Sequence, residues 1–157
     1  MKQNADPFCD KRVISSESVC SSRHFVILYN IRPTVPGHVL LVSKRHVERI
    51  TELDAKEISD MHSLLRKVIP VLIKAYDAED ESYNLIVQAG ENSGMSVRHF
   101  HMHIVPRNSR DRYSKKNNAL YTDIERARKG LGHRHVIEQT ARLRRLFSKK
   151  RIESYRT

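Results

Sequence analysis

The sequence predicts one domain of the α+β class, on three observations. Two strand-like stretches precede a long amphipathic helix, two more follow it, and the 157 residues contain no second apolar core. That length suits a single domain able to bury a sizeable core.

Taken in order, residues 1–23 are polar, Ser-rich around Ser15–Ser22, and weakly patterned. His24–Ile31 (HFVILYNI) is aromatic and β-branched, the composition of a strand. Arg32-Pro33-Thr34-Val35-Pro36-Gly37 forms a turn, since each proline fixes φ and glycine permits a positive one. His38–Ser43 is a second strand, so the pair forms a hairpin with a long loop. Asp54 and Glu57 have the spacing of a capping box. Ile58, Met61, Leu65, Val68 and Leu72 then recur at helical steps, with Pro70 expected to kink or interrupt the helix. Tyr83–Gln88 is the third strand, Gly90–Gly94 a flexible loop, and His99–Val105 the fourth strand. In the tail, Val136, Thr140, Leu143 and Phe147 share one helical face, and a short helix is expected near Leu120–Arg128.

The net charge is +11, from 29 Lys+Arg against 18 Asp+Glu. Residues 1–106 hold 13 of each sign, so residues 107–157 carry 16 basic against 5 acidic side chains and the whole excess. The expected organisation is a core over 1–106 and a basic, partly helical extension of the same domain over 107–157. Such a block is either a solvated tail or a surface attracted to phosphates, nucleic acid included. No apolar run reaches the ~18 residues of a membrane span, so no membrane partner is expected. Two cysteines, Cys9 and Cys20, are too few for a disulfide framework; a reducing compartment is expected, the cytoplasm and also the nucleus.

Residues 98–107 read Arg-His-Phe-His-Met-His-Ile-Val-Pro-Arg. Side chains of a strand alternate, so His99, His101 and His103 project from one face while Phe100, Met102 and Ile104 anchor the other. Two chemistries suit aligned imidazoles. A metal site is one, but three alternating residues span ~14 Å and do not easily converge on one ion. The other is covalent catalysis. A neutral imidazole attacks phosphorus, with its second nitrogen held by an acceptor and its neighbours donating to phosphate oxygens. The loop before the strand supplies backbone N–H groups able to cradle phosphate.

His99-Phe100-His101-Met102-His103-Ile104-Val105 resembles the signature of the histidine triad (HIT) superfamily of nucleotidyl hydrolases and transferases. Asn30–Leu40 resembles its other marked segment, and the likeness runs from about Phe25 to Arg107. It is most similar to the fragile histidine triad branch, the dinucleoside polyphosphate hydrolases, to which Asn117–Tyr121 and the helix ending at Phe147 also point.

The resemblance implies a HIT-like α+β fold with an antiparallel sheet of about five strands, one long helix and a C-terminal helical extension, usually as a homodimer. It implies catalytic roles for His101 as nucleophile and for His103, His99 and His38 as a hydrogen-bonded imidazole set. Nucleotide would be bound by Asn30 at the sugar, Gln88 and His103 at the phosphates, and the loop Gly94-Met95-Ser96-Val97. The implied reaction cleaves a small-molecule substrate such as diadenosine triphosphate to a mononucleotide and the remaining nucleotide through a nucleotidyl-histidine. Alternatives are hydrolysis of nucleoside phosphoramidates or nucleic-acid 5′-adenylates, or a slow nucleotide-binding signalling module.

No covalently bound cofactor is implied; a divalent ion accompanying the substrate phosphates is compatible with it. Two departures stand out. Met95 occupies the position where the family loop commonly has glutamine, and a thioether cannot donate a hydrogen bond. Some branches begin a structural zinc site with Cys-x-x-Cys, whereas Asp6-Pro7-Phe8-Cys9 keeps the second cysteine alone. Cys9 and His46 are the candidates for a degenerate site, and structural zinc is not expected.

Overall fold

A computed structural model describes residues 6–111, 113, 124 and 133–153. Its helices are α1 (Lys11–Glu17), α2 (Ala55–Ala75) and α3 (His133–Glu153). Its strands are β1 (Ser18–Ser21), β2 (Phe25–Tyr29), β3 (Val39–Ser43), β4 (Tyr83–Ile86) and β5 (His101–Pro106). They form one antiparallel sheet in the order β1-β2-β3-β5-β4. The expected α+β class and five-stranded antiparallel sheet are therefore present. The short helix expected near Leu120–Arg128 and the Asn117–Tyr121 segment lie outside the described residues, Ile124 apart.

The hairpin register makes the sheet two-faced. Val42 pairs with Val26 on one side and His101 on the other; Leu40 pairs with Leu28 and His103. These six side chains therefore share a face. The opposite face carries Phe25, Ile27, Tyr29, Leu41, Met102 and Ile104, which pack with Phe100 against Met61, Leu64, Val68 and Leu72 of α2 and Val136 and Leu143 of α3. Burying such side chains stabilises by roughly 1.5–3 kcal/mol each, so this layer holds the fold.

The capping box forms as expected: Asp54 accepts from the Glu57 amide (2.8 Å) and Glu57 from the Asp54 amide (2.9 Å). Two expectations for α2 are corrected. The helix runs without interruption through Pro70, which faces solvent, so water can satisfy the carbonyl that its missing N–H leaves free. The buried stripe is also rotated. Leu64 and Val71 are buried where Leu65 is half-buried, and Ile58 is 38% exposed. Glu57 belongs to the inward stripe, where it takes a bidentate bond from Arg45 (2.9 and 2.7 Å).

The polar N-terminal stretch, weakly patterned in sequence, supplies α1 and the edge strand β1. Asp10 caps α1 by accepting from the Arg12 amide (2.8 Å), and Phe8 and Ile14 pack on Val26, Leu28, Leu40 and Val42. In the turn before β3, Gly37 has φ +86°, and a Cβ there would meet the Tyr76 ring and lie 2.8 Å from Pro106. Only glycine fits both the dihedral and the space.

Candidate active site

The turn ending at Gly37 delivers His38 to the start of β3, fully buried. The Thr34 amide donates to its Nδ1 (3.2 Å), which fixes the His38 proton on Nε2. That N–H faces His103 Nδ1 at 2.9 Å, so His103 carries its own proton on Nε2. His103 Nε2 is buried and has no hydrogen-bond partner among the described residues. A buried, unpartnered donor is costly, and it marks a place where an acceptor is meant to sit.

His101 stands next along β5, its ring 5.2 Å from that of His103. Its Nδ1–H donates to the carbonyl of His99 (2.7 Å), leaving Nε2 as the nitrogen with the lone pair. Burial lowers all three imidazoles: His38 well below its ordinary value, His103 to about 3, and His101 to a smaller extent, where the bond to His99 acts in the opposite sense. All three are therefore neutral at pH 7, the state a nucleophilic imidazole and a neutral donor need.

His99 departs from expectation. β5 begins at His101, so His99 sits on the approach to the strand, and its contribution to His101 is its carbonyl. Its own imidazole is engaged elsewhere, with Nε2–H donating to the Ser43 carbonyl (2.7 Å) and Nδ1 facing Asp6 Oδ2 (2.7 Å). Asn30 is buried beside His38, its Nδ2 3.1 Å from His38 Nε2 and its Oδ1 accepting from the Arg32 amide (2.9 Å). Gln88 donates to the Ser93 carbonyl (2.9 Å), bracing a loop that turns at Gly94 with φ +83°. Met95, Ser96 and Val97 follow in that loop, and the Met95 amide donates to Gly90 (3.3 Å).

A buried row of neutral imidazoles, one with a free lone pair and one with an unsatisfied donor, lies within the segment that matches a family model described as "HIT domain" over residues 11–110. The chain belongs to the histidine triad family. A bis(5'-adenosyl)-triphosphatase from Dictyostelium discoideum is 29% identical over 128 residues, covering 82% of this chain and 83% of that protein. An asymmetrical bis(5'-nucleosyl)-tetraphosphatase from Schizosaccharomyces pombe is 35% identical over 97 residues, 62% of this chain and 51% of that protein. Of this second HIT relative the chain therefore spans about half the length. The crystal structure of the Plasmodium falciparum diadenosine triphosphate hydrolase superposes with a TM-score of 0.70 at 21% identity, covering 90% of this chain and 80% of that one. The fold is that of a HIT protein, and its named relatives are those of the fragile histidine triad branch.

This HIT chain also gathers a second group. Asp6, Cys9, His46 and His99 each bring one ligand-type atom within 4.8 Å of the others. Sequence reasoning named Cys9 and His46; Asp6 and His99 were missed as their companions, although Asp6 occupies the first position of the Cys-x-x-Cys spacing. Asp6 Oδ2 lies 3.0 Å from His46 Nδ1 and accepts from Cys9 Sγ–H (3.1 Å). Burial works to raise the Asp6 carboxyl, but bonds from His99, Cys9 and the Phe8 amide outweigh it and hold it at about 2. Two imidazoles, a carboxylate and a thiol suit a four-coordinate divalent ion, and the Ser43 carbonyl on His99 Nε2–H is the outer partner that orients such a ligand.

Phe8, also missed, lies within the same turn. Its ring is 5.3 Å from His101 and 5.7 Å from His99. Among the described residues no helix is long and apolar enough to cross a membrane.

Proposed function

We propose that the chain hydrolyses dinucleoside polyphosphates, as the names of its relatives suggest, with His101 as nucleophile. The observation that carries this reading is the free Nε2 of His101 beside the unpartnered Nε2–H of His103. His101 Nε2 attacks the phosphorus of one nucleotide, forming a P–N bond. The P–O bond to the rest of the molecule breaks, its electron pair leaves with that oxygen, and the departing nucleotide takes up a proton. Water then cleaves the P–N bond, releasing the mononucleotide and the free imidazole. His103 donates to a non-bridging oxygen, held in the right tautomer by His38 and Thr34. His99 orients His101 through its carbonyl, and Asn30, Gln88 and Gly94–Val97 contact sugar and phosphates.

His101→Asn should abolish turnover while nucleotide binding persists, and acid-sensitive label from a nucleotide-labelled substrate should be trapped on wild-type protein. Normal turnover by the variant would sink the assignment. Met95 favours a second reading, a slow module that holds nucleotide, because its thioether gives no proton to the leaving oxygen. Single-turnover rates separate the two.

The metal-type cluster would hold one zinc-like ion through Asp6, Cys9, His46 and His99, supplying structural cross-linking of the N-terminal turn to the approach of β5. A homodimer is the expected assembly. β4 is an edge strand with Tyr83 (44%) and Leu85 (41%) exposed and Val87 (36%) exposed just beyond it, a surface a second copy would cover. The basic C-terminal third is read as a surface for phosphate-bearing partners.

A further inference from the structure

At the end of the sheet opposite β4, strand β1 leaves a groove of about 1020 Å³ between its edge, α2 and α3. Arg66 and Lys67 of α2 stand on its rim, both exposed and neither in an ion pair with a described residue. Arg144 of α3 crosses from the other side, donating to the carbonyls of Ser15 (2.7 Å) and Ser18 (2.6 Å). The lining also carries the hydroxyl groups of Ser21 and Ser63, that of Ser148 donating to the Arg144 carbonyl (2.9 Å), and the half-buried aromatic side chain of Phe147.

One carboxylate, Asp60, belongs to this lining, and its charge is already engaged. It accepts from Ser22 Oγ (2.6 Å) and the His24 amide (2.7 Å). The groove is thus net cationic, rich in hydroxyl donors, and apolar in part.

From this the structure assigns the groove as a binding site for single-stranded nucleic acid. A cationic channel that tracks a phosphate backbone, with hydroxyls to bond its oxygens and an aromatic face for a base, is what sequence-independent single-strand binding requires. A duplex would present its phosphates on a cylinder and keep its bases from Phe147. The assignment rests on the reading of the basic third as a phosphate-directed surface. It does not depend on the hydrolase chemistry, since His101 projects from the opposite sheet face, with strands β2 and β3 between it and β1.

The test is fluorescence anisotropy with a labelled oligothymidylate and a labelled duplex of equal length, titrated against salt. Wild-type protein should prefer the single strand. The double charge reversal Arg66→Glu/Lys67→Glu should weaken that binding by at least ~10-fold and flatten the salt slope by about 0.7 for each phosphate no longer neutralised. Lys56→Glu/Lys74→Glu, which changes net charge equally at exposed sites outside the groove, should cost less than ~2-fold. Both variants should keep wild-type dinucleoside polyphosphate hydrolysis, which reports an intact fold. Equal losses from the two variants, or equal affinity for duplex, would overturn the groove assignment while leaving the basic third as a polyanion surface. No binding by the wild type at low salt would overturn both.

Discussion

His38 Nε2 stands 2.9 Å from His103 Nδ1, and this one bond sets the proton of His103 on its far nitrogen. A residue in the β2–β3 turn thereby decides what the middle of β5 offers to a ligand. His38→Asn should lower kcat/KM by ~10- to 100-fold, less than His101→Asn does, with the loss mainly in kcat. An unchanged kcat would remove His38 from the mechanism.

The depressed imidazoles give the reaction a pH signature. His101 must be neutral to attack, and its proton affinity is lowered by burial. The neutral fraction therefore survives below pH 6.5 and is lost as pH falls through the lowered value. The acid limb of kcat/KM should lie below pH 6.5; a limb above it would contradict the neutral nucleophile.

Arg45 and Glu57 should matter for stability. Glu57 is 4% exposed, and the Arg45 guanidinium holds its carboxyl at about 2 against an ordinary 4.5. Arg45 is half in solvent, and Arg45→Met should lower the urea midpoint at pH 7 by stranding the carboxylate. The native pair contributes above pH 4.5 and loses that contribution as pH falls toward 2. The gap between variant and wild type in urea midpoints should close over that interval.

Met95→Gln restores a donor at the loop position facing the leaving group in the proposed reaction. It should raise kcat by up to ~10-fold, with KM little changed. A variant no faster than wild type would show that leaving-group protonation is supplied elsewhere.

Zinc should raise Tm in proportion to the logarithm of its concentration, and cobalt should give a thiolate charge-transfer band that disappears in Cys9→Ser. Binding unaffected by both Cys9→Ser and His46→Ala would exclude this cluster as the site.

The sheet was legible because β2 and β3 are apolar on both faces, β5 is apolar on the face that meets the helices, and all three are bounded by Pro, Gly or polar residues. The triad was legible because His101 and His103 keep strict alternation within one strand. β1 was not, since Ser18-Val19-Cys20-Ser21 has a single fully buried side chain and takes its strand form from pairing with β2. The rotation of α2 was hidden because hydrophobic spacing treats Glu57 as a solvent residue, and its burial depends on Arg45, twelve positions away. Asp6 and Phe8 were hidden for a similar reason. Their meaning depends on His99 and His101, about ninety residues on, which no local pattern in the sequence connects.

Gly37 touches none of the atoms that would meet a nucleotide, yet the Tyr76 ring and Pro106 leave it no room for a methyl group. The turn is thereby clamped between the end of the long helix and the end of the fifth strand, and His38 has one available position. An alanine at 37 would register in an assay as a catalytic lesion while every reacting group remained in the chain. For anyone reading natural variants of this protein, loss of function at this position reports on a hinge that cannot move, and carries no information about substrate choice.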